Sequence, residues 1–148
     1  MVRWPARWAT NSPATQPNVP VTGVAAFDYA SALDAADREA EAILVYRRAL
    51  ECELPDQIRY RASVQLGSSL RLVGESEQAV AVHRETLARW PKQPANRLFL
   101  ALALLAAGRP AQAVSEAVAT ALIAEAEPDI DYYRRALTAY AQQLTSLD

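Results

Sequence analysis

The feature that most constrains this chain is a phrase that returns. "LGSSLRLVGESEQAVAVHRETLARWP", Leu66 to Pro91, begins again at Leu100 as "LALALLAAGRPAQAVSEAVATAL". Leu66 and Leu100, Leu70 and Leu104, Gly74 and Gly108, and Ala79 and Ala113 are each 34 positions apart. An earlier copy runs 37 positions ahead, pairing Ala30 with Gly67, Leu33 with Leu70, Asp37 with Gly74 and Ala42 with Ala79. The three additional residues fall near "ECELPDQ", a connecting loop where insertions cost little. A unit of this length is one supersecondary element that must stack on its neighbours to bury its apolar face.

Within each unit the apolar residues recur at steps of three and four, the helical period. Turn signals at Asp37, Leu54-Pro55, Gly74, Pro91 to Pro94, Gly108 and Pro128 divide the text into seven helices. Their expected spans are 24–36, 38–53, 57–73, 75–90, 94–107, 110–126 and 129–146. The 148 residues are 51% hydrophobic but only 7% aromatic, and alanine is abundant. That balance suits closely approaching helices rather than a sheet sandwich, so the expected class is all-α. Residues 1–23 carry Pro5, Pro13, Pro17 and Pro20 and read as a flexible arm in which Trp4 and Trp8 stand out.

These repeats resemble the tetratricopeptide repeat family, over about residues 24 to 147. The second unit carries the pattern best, with Leu66-Gly67, Leu70, Gly74, Ala79 and Pro91, although Ser63, His83 and Thr86 replace two aromatics and an alanine. The first has Tyr29-Ala30, Leu33, Asp37, Ala42, Tyr46, Ala49 and Pro55, and the third has Leu100-Ala101, Leu104, Gly108 and Ala113. In length and style the chain is similar to small bacterial type 5 repeat proteins, and an arginine- and alanine-rich text with Lys92 as its lone lysine suits a GC-rich bacterial genome. The resemblance implies an α-solenoid of about three helix pairs, with repeats at about 24–56, 57–93 and 94–128. A capping helix at 129–146 follows, in which Asp129 caps the N-terminus and Tyr132, Leu137, Tyr140 and Leu144 pack inward.

Several chemistries are disfavoured by the text. A net charge of −2 with no basic stripe argues against nucleic acid. The start lacks the apolar core of a secretory signal, and "LFLALALLAAG" is about half the length of a membrane span. A single cysteine, Cys52, fits a reducing cytoplasm. The four glycines form no phosphate loop, and one His with one Cys makes a poor metal set, so no cofactor and no metal are expected. Cys52 and His83 lack a third group to orient them as nucleophile and base. The carboxylates at Asp34, Asp37, Glu39, Glu41, Glu75 and Glu77 crowd helix junctions, where they favour the dipole. No catalytic residue is assigned, and the chain is not expected to be an enzyme.

The resemblance implies instead a protein or peptide partner held in a concave groove lined by the first helix of each pair. Carried onto this chain, the lining is Phe27, Ser31 and Asp34; Arg61, Val64, Ser68, Arg71 and Leu72; and Leu98, Leu102 and Leu105, with Tyr132 and Arg135 closing one end. Arg61 and Arg71 are ten residues apart, near three helical turns, so they share a face and could grip carboxylates. Family members that bind chaperone C-termini use a lysine and asparagine clamp, which Phe27, Ser31, Val64, Ser68 and Leu98 do not reproduce. The alternative is a homo-oligomerisation or structural subunit module, most simply a homodimer, burying Leu98, Leu102 and Leu105.

Overall fold

In the computed structural model the described residues are 22–123 and 128–145, the side chains of 122, 123, 128 and 141–145 excepted. The arm with Trp4 and Trp8, and the side chain of Leu144, therefore lie outside the described residues. Seven helices follow in order: α1 (Gly23–Asp34), α2 (Glu39–Glu51), α3 (Asp56–Leu72), α4 (Ser76–Arg89), α5 (Pro94–Ala106), α6 (Pro110–Ile123) and α7 (Pro128–Thr145). They form an all-α repeat solenoid, in which α1–α2, α3–α4 and α5–α6 are antiparallel pairs.

The turn inside each pair is built the same way three times. Asp37, Gly74 and Gly108 have φ of 56°, 88° and 74°, the left-handed conformation. The next residue's N–H reaches back to close the helix end, from Arg38 to Leu33 O (3.0 Å), Glu75 to Leu70 O (2.8 Å) and Arg109 to Leu104 O (2.8 Å). This is the Schellman arrangement, which satisfies carbonyls that the helix end would orphan. Between pairs, Arg59 donates to Leu50 O (2.9 Å) and Cys52 O (2.8 Å), fastening the end of α2 to α3.

Small residues set the packing distance. Ala30, Ala42, Ala79 and Gly67 are buried, as expected, and Ala113 is nearly so, while Ala101 is only half-buried. Around them Leu33, Leu66, Leu70, Leu100 and Leu104 fill the layers, each at most 3% exposed. Gly67 is the tightest point: a Cβ there would lie 2.4 Å from His83 Nε2. The His83 ring cannot move aside, because it is fully buried, bonded to Asn96 and stacked on Phe99.

Curvature follows from which helices touch. The first helices pack backbone against backbone, α1 with α3 and α3 with α5, whereas among the described residues the second helices are bridged by long side chains, Arg47 to Gln78 (3.0 Å) and Arg84 to Gln112 (3.2 Å). An array tight on one side and splayed on the other bends towards the tight side, so α1, α3 and α5 form the concave face. The splay leaves a cleft of about 530 Å3 between α2 and α4 on the other face, walled by Leu50, Leu66, Val82 and Trp90.

The seventh helix covers apolar surface, but on the concave side. It packs on α5 and α3 and, among the described residues, makes no contact with α6. Contacts advance together along both chains: Tyr60 meets Asp129, Arg61 meets Tyr132, and Ser68 and Arg71 meet Tyr140. Hence α7 runs parallel to α3. Two details of the expected cap change. Tyr133, 6% exposed, is the inward ring, while Tyr132 is 48% exposed. Asp129 sits inside the helix, and its Oδ2 accepts from Tyr60 Oη (2.9 Å) and from Ala95 N (2.7 Å), an otherwise orphaned donor in the first turn of α5.

Two substitutions test this packing by thermal melting. Gly67→Ala forces a Cβ into a pinned ring and should destabilise by about 1–3 kcal/mol or more. Asp37→Gly removes a side chain from a left-handed position and should stabilise by about 1 kcal/mol.

Candidate partner-binding groove

Between α1, α3 and α7 the concave face holds a cleft of about 380 Å3. Five of the sequence-predicted residues line it: Ser31, Asp34, Val64, Ser68 and Leu72. Phe99, Tyr133 and Tyr140 supply an aromatic wall, and Asp37 and Glu39 stand at the end nearest the α1–α2 turn.

The floor is a polar network joining three helices. Asp34 accepts from Tyr46 Oη at Oδ2 (2.8 Å) and from Ser69 Oγ at Oδ1 (2.8 Å). Tyr46 Oη also contacts Gln65 Oε1, to which Ser31 Oγ donates at 3.1 Å. Burial raises the Asp34 carboxyl above its usual range, with the two hydroxyl donors working in the opposite direction. Burial likewise pushes the Tyr46 phenol upward, helped by the neighbouring Asp34 charge. Both carboxylate oxygens of Asp34 are thus used by the fold itself, which makes this residue a structural link as much as a cleft wall.

Arg61 and Arg71 share a face of α3, and both guanidinium groups lie over rings of α7. Arg61 Cζ is 4.0 Å from the centroid of Tyr132, and Arg71 Cζ is 4.5 Å from that of Tyr140. Neither arginine forms an ion pair or hydrogen bond with a described residue, and Arg61 Nε, Arg71 Nε and Arg71 Nη2 are enclosed without an acceptor. Internal pairing with Asp34 or Glu75 does not occur: Asp34 is held by hydroxyls, and Glu75 accepts from Gln78. By contrast, the arginines of the larger cleft between α2 and α4 are engaged, Arg59 with carbonyls and Arg89 with Asp56.

The other sequence-predicted residues lie elsewhere. Phe27 is 6% exposed and packs on Tyr46 in the core, so it does not face a ligand. Val64 is at the cleft but fully buried beneath α7. Leu98 and Leu102 are half-buried and, with exposed Leu105, do not line the cleft; Phe99 does instead, one position along. Tyr132 is exposed against Arg61, and Arg135 is exposed on α7. Sequence reasoning missed Gln65, Ser69, Phe99 and Tyr133. Ring size alone could have signalled Phe99 over Leu98, because the aromatic wall needs a partner for Tyr133 and Tyr140.

Beneath that wall sits His83. Asn96 Nδ2 donates to His83 O (2.8 Å), which orients the amide so that Asn96 Oδ1 faces His83 Nδ1 at 2.8 Å. Nδ1 therefore carries the proton, and the bare Nε2 is sealed against Gly67 without a partner. Burial lowers the imidazole from 6.5 to about 4, against the raising effect of the Asn96 bond and with a smaller contribution from the Arg71 charge. Cys52 donates to Arg48 O at 3.4 Å, so His83 and Cys52 are each tied to other groups and form no dyad. Among the described residues no group of three His, Cys, Asp or Glu side chains is placed to hold a metal ion, and no helix is long and apolar enough to cross a membrane.

The histidine sets a pH dependence. Its folded-state value lies below its unfolded one, so the unfolded chain takes up the proton first as pH falls. His83 should contribute its full stability above about pH 6.5 and lose it progressively towards pH 4. Melting temperatures of wild type and His83→Gln across that window should show a steeper fall in the wild type; parallel curves would remove His83 as the cause.

No curated protein and no solved structure matches the chain. A family model does: tetratrico peptide repeat, over residues 23–144, which spans the solenoid and α7. With three Schellman-closed hairpins at the repeat spacing and a concave first-helix face, the chain belongs to the tetratricopeptide repeat family.

Proposed function

We propose that the chain is a non-catalytic adaptor of a reducing cytoplasm whose concave face holds an extended segment or helix of a protein partner. The observation that carries this reading is the pair Arg61 and Arg71, two cations on one face of α3 without an anionic partner among the described residues. A partly enclosed guanidinium without an acceptor is costly, and a carboxylate from outside satisfies it with short, charge-assisted bonds. The cleft beside them offers apolar contact at Leu72, Phe99 and Tyr140 and hydroxyls at Ser31 and Ser68. A peptide carrying an acidic residue next to an apolar one fits this arrangement.

Family membership supports protein binding in general, and the groove is the specific part of the proposal. The test is affinity capture from the source cell's lysate, quantified by mass spectrometry. Wild type is compared with Arg61→Glu/Arg71→Glu and, separately, with Leu72→Asp. Leu72 is 46% exposed, so its variant keeps the fold even where the arginine variant melts early. Partners held by wild type should fall roughly tenfold or more with both variants, a loss typical of a buried contact. Equal retention by all three proteins overturns the groove.

A further inference from the structure

Helix α6 has the composition of a buried helix in the position of a surface one. Its 14 residues, PAQAVSEAVATALI, include a single ionisable side chain. That residue, Glu116, does not serve solubility on the outer face, because it turns inward to Arg97 at 2.9 Å. Ala113 and Thr120 are buried on the same side. Directly opposite, Ala111, Val114, Val118 and Ala121 are all exposed, and Val114 at 62% and Val118 at 54% are the most exposed large apolar residues among those described. A helix this apolar normally has both faces covered.

The chain's own next helix does not cover it. In a stacked array the following helix would lie against α6, but α7 turns onto α3 and α5 and makes no contact with α6 among the described residues. The stripe that remains has the three-four-three spacing of a helix-pairing seam. Its order is also a palindrome, Ala, Val, Val, Ala, centred beside position 116.

We propose that this seam is an interaction surface for a second copy of the chain, with α6 packed antiparallel on α6 about a twofold axis beside position 116. Around such an axis Val114 of each copy faces Val118 of the other, and Ala111 faces Ala121. Self-complementarity is what a twofold interface demands, and a partner of different sequence would impose no such symmetry. The flanking positions Ser115 and Ala117 are uncharged, so two copies meet without like-charge repulsion there. The alanines let the helix axes approach to about 8 Å.

Size sets the strength. A 14-residue helix is about 21 Å long, and a single helix-on-helix contact of that length falls short of the roughly 1,200 Å2 that stable complexes bury. The dimer is therefore weak and reversible. No described side chain of α6 lines the concave cleft, so both clefts stay open in the dimer. The proposal stands independently of what those clefts bind.

Sedimentation velocity on the full chain, over a wide concentration range, tests it with two variants at exposed positions. Wild type should pass reversibly from monomer to dimer as concentration rises. Val114→Glu/Val118→Glu should raise the dissociation constant roughly tenfold or more through facing like charges, with unchanged melting. Val114→Glu/Val118→Lys sets each new carboxylate opposite a new ammonium across the axis and should restore association to near wild type. A wild type that stays monomeric throughout, a doubly acidic variant that dimerises normally, or a charge pair that fails to rescue would each overturn the proposed interface.

Discussion

The aromatic wall that seats α7 on the concave side starts from the contact between Gly67 and His83. Because Gly67 has no Cβ, the imidazole of α4 can lie directly against the backbone of α3. From there it bonds Asn96 and stacks on Phe99, both on α5, at a ring separation of 6.0 Å. Phe99 in turn meets Tyr133 at 5.1 Å and Tyr140 at 6.3 Å, edge to face, which seats α7. A missing methyl group in one helix thus propagates through four elements. The same burial that makes the ring a good packing element keeps it neutral at physiological pH.

The position of α7 changes what the concave face offers. Lying parallel to α3, it fills the part of the groove between α3 and α5 with its own aromatic rings. The open part is the side towards α1, where the floor is polar and held by Asp34, Tyr46, Gln65 and Ser69. Closing one half in this way confines the exposed apolar surface of the array, at the cost of leaving the outer face of α6 uncovered. The same helix placement therefore shapes both the cleft and the seam.

Much of this fold was legible because its signals are local. The three turns could be placed from Asp37, Gly74 and Gly108, since a left-handed residue closing a helix is a requirement of a few backbone atoms. The buried leucines followed from helical periodicity, and Arg61 and Arg71 were correctly set on one face. Errors arose where rotation about a helix axis mattered. Leu98 and Phe99 differ by about 100° on α5, and Tyr132 and Tyr133 by the same angle on α7, and both members of each pair are apolar enough to be buried. Phe27 was misassigned for a related reason: in the first pair the corresponding position turns into the core against Tyr46.

By itself, then, the sequence determined the helices, their pairing, the repeat period and the turns, because each depends on interactions among residues a few positions apart. Only the tertiary structure decided that the seventh helix lies along the concave face, that Tyr140 and Tyr132 shelter the two arginines, and that α6 keeps an apolar stripe in water. Those outcomes depend on contacts between residues about 70 positions apart, such as Tyr60 with Asp129 and Ser68 with Tyr140. No local pattern encodes them, since α7 carries an amphipathic face that would suit either side of the array, and the choice falls to shape and partner donors at the contact.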